Sequence, residues 1–317
     1  MERGLDFNNS NVQVLTLSEL TSTIHENYSN GLPCGGIYHF DLIQWLLDEL
    51  RQGGLKPEVV EIFAANNKDR YRPGVSIDEK ISHEMGEHAF EAYTLRRIYA
   101  NVKVCESEID GIDMNMAVAY HQLGIQVAFG PMVRVCHNQT ILGAQDIFTT
   151  QNISQCGNKL EVSKNVADMK GLISGYLASL GERTRDMMLM IKGMQNRAFL
   201  DQDCNNILCE LMERRIRHDS SHALIHRPMD YPLSSAQINA AYERYLIEAD
   251  SRKPIDNDDS GEWRMSWWDA LNVFNVDLKP GRCVIPSIVG QSYGLGDVFC
   301  EEFRKNHKYW LNRRKPR

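Results

Sequence analysis

Between Leu95 and Cys136 the chain runs as three extended stretches separated by turn residues, which restricts it to folds built around an antiparallel sheet. Leu95 to Cys105 place branched apolar residues at Ile98, Val102 and Val104. Asp110-Gly111 follows, and because both residues tolerate positive φ the pair predicts the tip of a two-residue hairpin. Met114 to Tyr120 alternate strictly, with Met114, Met116 and Val118 set against Asn115, Ala117 and Ala119, the period of a strand. Leu123-Gly124 predicts another turn, and Ile125 to Cys136 a third strand interrupted at Gly130-Pro131. Three strands joined in this way form a meander.

Helical signals surround it. Asp41 can cap a helix whose Ile43, Leu46, Leu47 and Leu50 share one face, and Gly53-Gly54 stops that helix. Val12 to Leu17 and Pro57 to Phe63 read as further strands, Asn66 to Ser82 as a loop, and Ser82 to Glu91 as a short helix. Residues 138–160 are amide-rich and predict the passage from sheet to helices. A wide apolar stripe then runs from Lys164 to Phe199, with a break expected near Gly181. Asp201, Ser234 or Ser235, and Ser266 are candidate caps for three later helices, and Ser251 to Glu262 read as an acidic linker. The expected class is α+β: an antiparallel meander packed with helices (residues 1–150), a mainly helical region on or beside it (151–303), and a basic tail (304–317).

The 317 residues are 43% hydrophobic and 24% charged, ordinary for a globular protein. The first thirty residues are polar where a secretory signal would be apolar. No run approaches the roughly 18 apolar residues of a membrane span, so the expected location is the cytoplasm, with no membrane partner. The eight cysteines are scattered without a CxxC pair, and buried free thiols, Cys136 among them, are the expectation.

Catalytic patterns do not assemble. His83 and His88 are five apart, roughly 500° of helical rotation, so they cannot share a face as two zinc ligands must. His218, His222 and His226 fall at i, i+4 and i+8 and would share one side of a continuous helix, but Ser220-Ser221 and Pro228 interrupt it; they are weak metal candidates. Gly290, Gly294 and Gly296 read as a glycine-rich turn without the Lys-Ser/Thr of a phosphate loop. Met187 to Met194 read as core. No cofactor is expected, and the balance favours a binding protein over an enzyme.

Charge points elsewhere. The net charge is −7, yet from Arg304 onward there are seven Lys/Arg and no acid. Without those seven, the 35 basic residues fall to 28 against 42 acidic ones, a balance of −14. Arg304, Lys305, Lys308, Arg313 and Arg314 are interleaved with Tyr309 and Trp310, a composition that grips single strands: cations follow phosphates and rings stack on bases. Such a tail can equally neutralise its own acidic body. Arg96, Arg97 and Tyr99 on the first meander strand and Arg134 on the third are further candidates for the same interface.

At Phe129-Gly130-Pro131-Met132-Val133-Arg134-Val135-Cys136-His137-Asn138, following the Asp110-Gly111 turn, the chain resembles the phage/plasmid-like proteins of unknown function, over about residues 40–200. The family often has Ser-His-Asp where this chain has Glu108-Ile109-Asp110. The resemblance implies a bacteriophage or mobile-element origin, hence a bacterial host cytoplasm, and supplies no catalytic residues. The order helix, meander, long helix is also similar to phage single-strand annealing proteins, a likeness of arrangement alone. The leading expectation is therefore a protein that binds single-stranded nucleic acid in replication or recombination. The alternative is a non-catalytic accessory protein docking on a phage or host protein, and the third a metal-dependent enzyme. Homo-oligomerisation stays open.

Overall fold

The computed structural model describes residues 12–20, 39–65, 97–106, 109, 111–121, 124–133, 146–151, 159–221, 233–252, 265–278 and 285–307. Six strands pair in chain order, each antiparallel to the last: β1 (Val12–Leu15), β2 (Glu58–Ala65), β3 (Arg97–Glu106), β4 (Ile112–His121), β5 (Gly124–Val133) and β6 (Asp146–Gln151). The protein is α+β. The meander is wider than the three strands expected: β6 lies in the amide-rich stretch, where Ile147 and Phe148 were too few apolar residues to mark a strand without a neighbour. Pro131 is accommodated because β6 pairs with β5 only as far as Phe129, leaving Pro131 opposite Met114 with no second strand neighbour among the described residues to receive an N–H.

The turns correct one expectation. Glu106 pairs with Asp113 and β4 begins at Ile112, so the β3–β4 connection comprises residues 107–111 and is not a two-residue hairpin. At its end the Ile112 N–H donates to the Ile109 carbonyl at 3.2 Å, and Gly111 sits at φ 77°, the left-handed region that a β-branched residue resists. The two-residue connection is the next one, because His121 pairs directly with Gly124.

Helix α1 (His39–Gln52) ends as its glycines predict. The Leu55 N–H reaches back to the Leu50 carbonyl at 3.1 Å and the Gly54 N–H to the Arg51 carbonyl at 2.9 Å, with Gly54 at φ 82°. This Schellman arrangement satisfies carbonyls that the helix end would orphan. Helix α2 (Lys159–Gln195) runs 37 residues without the break expected at Gly181. A glycine costs a helix only about 1 kcal/mol, while the helix is buried on both sides of it, through Met169, Ile173 and Tyr176 before and Met187, Ile191 and Met194 after. Helices α3 (Asp201–Ser221), α4 (Ser235–Ser251) and α5 (Trp267–Asn275) follow, the last two opened by capping boxes at Ser234 and Ser266. Helix α6 (Ile285–Asn306) contains Gly290, Gly294 and Gly296, buried within the helix and not in the turn expected.

Both faces of the sheet are covered. Helices α1 and α2 bury Ile62, Ile98, Val102, Val118, Ile125 and Val127, with Phe129 stacked on Tyr176 at 3.8 Å. On the other face Ile288 and Val289 of α6 meet Phe63, Tyr99, Ala117, Ala119 and Ala128. Alanines on the sheet and glycines along α6 keep side-chain bulk out of this layer. Both α2 and α6 then run past the sheet, and their later residues (Met187 to Met194; Leu295 to Phe303) join α3, α4 and α5 around Trp267. Ile109, Ile112 and Met114 belong to this helical core, so the β3–β4 turn is inserted between helices.

Cys105, Cys204, Cys209 and Cys300 are free thiols, and burial holds Cys204 up to about 12 and Cys300 up to about 11. Cys136 lies outside the described residues. Among those described, no helix is long and apolar enough to cross a membrane.

Candidate nucleic-acid interface

The residues expected to grip nucleic acid divide between two places, and the C-terminal end of α6 is the better defined. There Phe299 and Phe303 enter an aromatic cluster around Trp267, whose ring lies 6.2 Å and 5.5 Å from theirs and 5.0 Å from Phe199. His307, one residue past the helix, packs 4.7 Å from Phe303 and 6.0 Å from Trp267, and its N–H donates to the Phe303 carbonyl at 2.9 Å. Burial lowers the His307 pKa, and the nearby Arg197 cation lowers it further. Arg304 and Lys305 are exposed in the last turn of α6, where cations complement the helix dipole. Lys305 pairs with Glu302, and that hydrogen bond raises the ammonium pKa. The first residues of the expected tail are thus helical. Lys308, Tyr309, Trp310, Arg313 and Arg314 lie outside the described residues.

The sheet candidates fare differently. Tyr99 is 1% exposed, with its ring 6.3 Å from Phe63 and α6 covering the layer in which it sits. A base cannot stack on a ring already enclosed by protein, so Tyr99 leaves the candidate interface. Alternation along β3 correctly separated Tyr99 from Ile98; it could not show that α1 and α2 would seal one face and the distant α6 the other. Arg97 opens β3 opposite Ala65. Arg96 and Arg134 lie outside the described residues.

The same sealed face carries polar residues that sequence reasoning passed over. Asn101, Asn115 and Gln126 are at most 1% exposed there, and Ser292 of α6 is buried too. Asn115 places its amide nitrogen 3.5 Å from the Met132 sulfur. At the edge of this face Lys103 lies 3.1 Å from Glu106 and 3.8 Å from Asp113. Strict alternation with Asn and Ala between apolar residues was the available signal, but it also describes a strand with one wet face.

Helix α3 is docked on α6 by charge. Arg214 donates to Glu210 at 2.9 Å, to Asp297 at 2.9 Å and to Glu301 at 3.3 Å, concentrating three carboxylates around one guanidinium. Of the metal candidates, His218 lies in the final turn of α3, which ends at Ser221, and His222 and His226 fall outside the described residues. Among the described residues no three potential ligands gather as a metal site would require.

Compared with known proteins, the chain matches no family model, no curated protein and no solved structure.

Proposed function

We propose that the protein binds single-stranded nucleic acid, through the segment that leaves the C-terminal end of α6 and not through the sheet. The carrying observation is the anchoring of that segment: His307 is held against Trp267 and Phe303, and Arg304 is exposed one turn earlier. Five cations, Tyr309 and Trp310 follow directly in the sequence. Cations for phosphate and rings for bases, continuing from a fixed point, suit a sequence-tolerant grip on an unpaired strand. The resemblance of residues 129–138 to phage/plasmid-like proteins supplies the setting, replication or recombination of a mobile element. A labelled oligonucleotide titrated across a salt series tests this reading. Binding should weaken steeply as salt rises, because each neutralised phosphate releases counterions, and removing residues 308–317 should abolish most of it. Undiminished affinity in a folded protein lacking 308–317 would overturn it.

A second reading rests on a different surface. Met212 and Ile216 of α3, and Tyr242, Leu246 and Ile247 of α4, are exposed, Ile247 at 69%. Neighbouring helices with outward apolar residues suit an accessory protein that docks on another protein. Replacing Ile216 and Ile247 with serine should then abolish capture of the partner while leaving oligonucleotide binding intact.

A further inference from the structure

Where β3 ends, a cavity of about 450 Å³ opens between the strand and the C-terminal half of α2. Gly181 contributes to its opening: a side chain there would meet nothing within 4 Å. Leu180, Met188 and Leu189 supply apolar walls, and the Cys105 thiol faces it from β3. Burial and the nearby Asp113 carboxylate push that thiol's pKa up, so it stays neutral. The size lies within the range of small-molecule sites, which are mostly apolar with a few placed polar groups.

Two of its polar groups are cations. Arg185 and Lys192, seven residues apart on α2, both line the cavity, and neither has a carboxylate partner among the described residues. Elsewhere Lys103, Lys170, Arg214, Arg217 and Arg252 each face an acid. The lining acid, Glu106, already holds the Lys103 ammonium at 3.1 Å. Thr184 adds a hydroxyl whose oxygen is buried with no hydrogen-bond partner among the described residues. Uncommitted cations and a spare hydroxyl beside an apolar wall describe a receptor for one anionic head on a greasy body. Among the described residues no aromatic ring lines the cavity, and those residues offer no platform for a nucleobase.

We propose that this cavity binds a small amphipathic anion, a carboxylate or phosphate carried on an apolar chain, with Arg185 and Lys192 holding the head and Leu180, Met188 and Leu189 the body. The named lining residues belong to β3 and α2 and not to α6.

The full chain, titrated with decanoate, decyl phosphate and decanol by calorimetry, tests the proposal. At least one of the anions should bind saturably, and decanol about tenfold or more weakly, the discrimination a charged hydrogen bond supplies. A preference between the anions supports the site and identifies its headgroup. R185Q combined with K192Q should bring anion affinity down to that of decanol. Gly181→Leu should fill the opening and abolish binding while leaving the thermal midpoint unchanged or raised, since leucine favours a helix more than glycine does. Removing residues 308–317 should leave decanoate and decyl phosphate affinities unchanged. The proposal is overturned if neither anion binds saturably, if decanol binds as tightly as both, or if the folded Gly181→Leu protein keeps full affinity.

Discussion

His39, near the start of α1, sets its ring edge-on against Tyr120 of β4, with centroids 4.7 Å apart and planes at 81°. Both side chains are fully buried, and neither imidazole nitrogen has a hydrogen-bond partner among the described residues. Burial alone holds the His39 pKa down to about 3, so the folded protein keeps this imidazole neutral.

Acid should therefore weaken the fold through His39. The unfolded chain takes up its proton near 6.5 and the folded one only near 3. Between these values the unfolded state binds the extra proton, so this contribution is complete above 6.5 and is lost as pH falls, by up to about 1.4 kcal/mol per pH unit. His39→Phe keeps a ring against Tyr120 and removes the titration. Urea midpoints measured from pH 7 to pH 4 should fall less steeply for the variant; parallel slopes would show that His39 is not the group responsible.

The Arg214 cluster should behave as a clasp between α3 and α6. Arg214→Met keeps the aliphatic packing but leaves Glu210, Asp297 and Glu301 without their common cation. The groups are partly exposed, so solvent screening limits the loss to about 1–2 kcal/mol, smaller in high salt. Asp297→Asn, introduced into the Arg214→Met chain, should recover part of it. A thermal midpoint unmoved by Arg214→Met would mean that packing alone docks α3.

Gly111 should resist substitution although no ligand is involved. Its φ of 77° lies in a turn whose flanking Ile109 and Ile112 are locked into the helical core, so the backbone cannot relax outward. Gly111→Val should cost roughly 1–3 kcal/mol. An unchanged denaturation midpoint would show that the turn can be rebuilt.

Two truncations should differ sharply. Removing residues 308–317 leaves Phe199, Phe299, Phe303 and His307 in place around Trp267, so stability should hold. Removing 304–317 also strips the last turn of α6 and the His307 ring from Trp267 and Phe303, and should cost about 1–2 kcal/mol more. Scanning calorimetry of the two proteins decides it; equal midpoints would mean that His307 contributes no anchoring.

Elements whose cause is local were legible in the sequence. The Gly53-Gly54 stop of α1 and the caps at Ser234 and Ser266 depend on backbone groups a few residues away. So does the period of β4, whose side chains must alternate whatever lies above them. This is why the α+β class and the order of most elements could be read directly. Interactions between distant residues decided the rest. Gly181 does not end α2, because burial on both sides of it outweighs one glycine, and Gly290, Gly294 and Gly296 are buried in a helix that packs on the sheet. Tyr99 carries the residue type of a stacking platform, but Ile288 and Val289, nearly two hundred positions later, enclose it. The cavity beside Cys105 had no sequence signature, since Arg185 and Lys192 become neighbours of that thiol only when α2 packs along the end of β3. A sequence states what each residue can do; which side chains remain open to do it depends on what the folded chain lays over them.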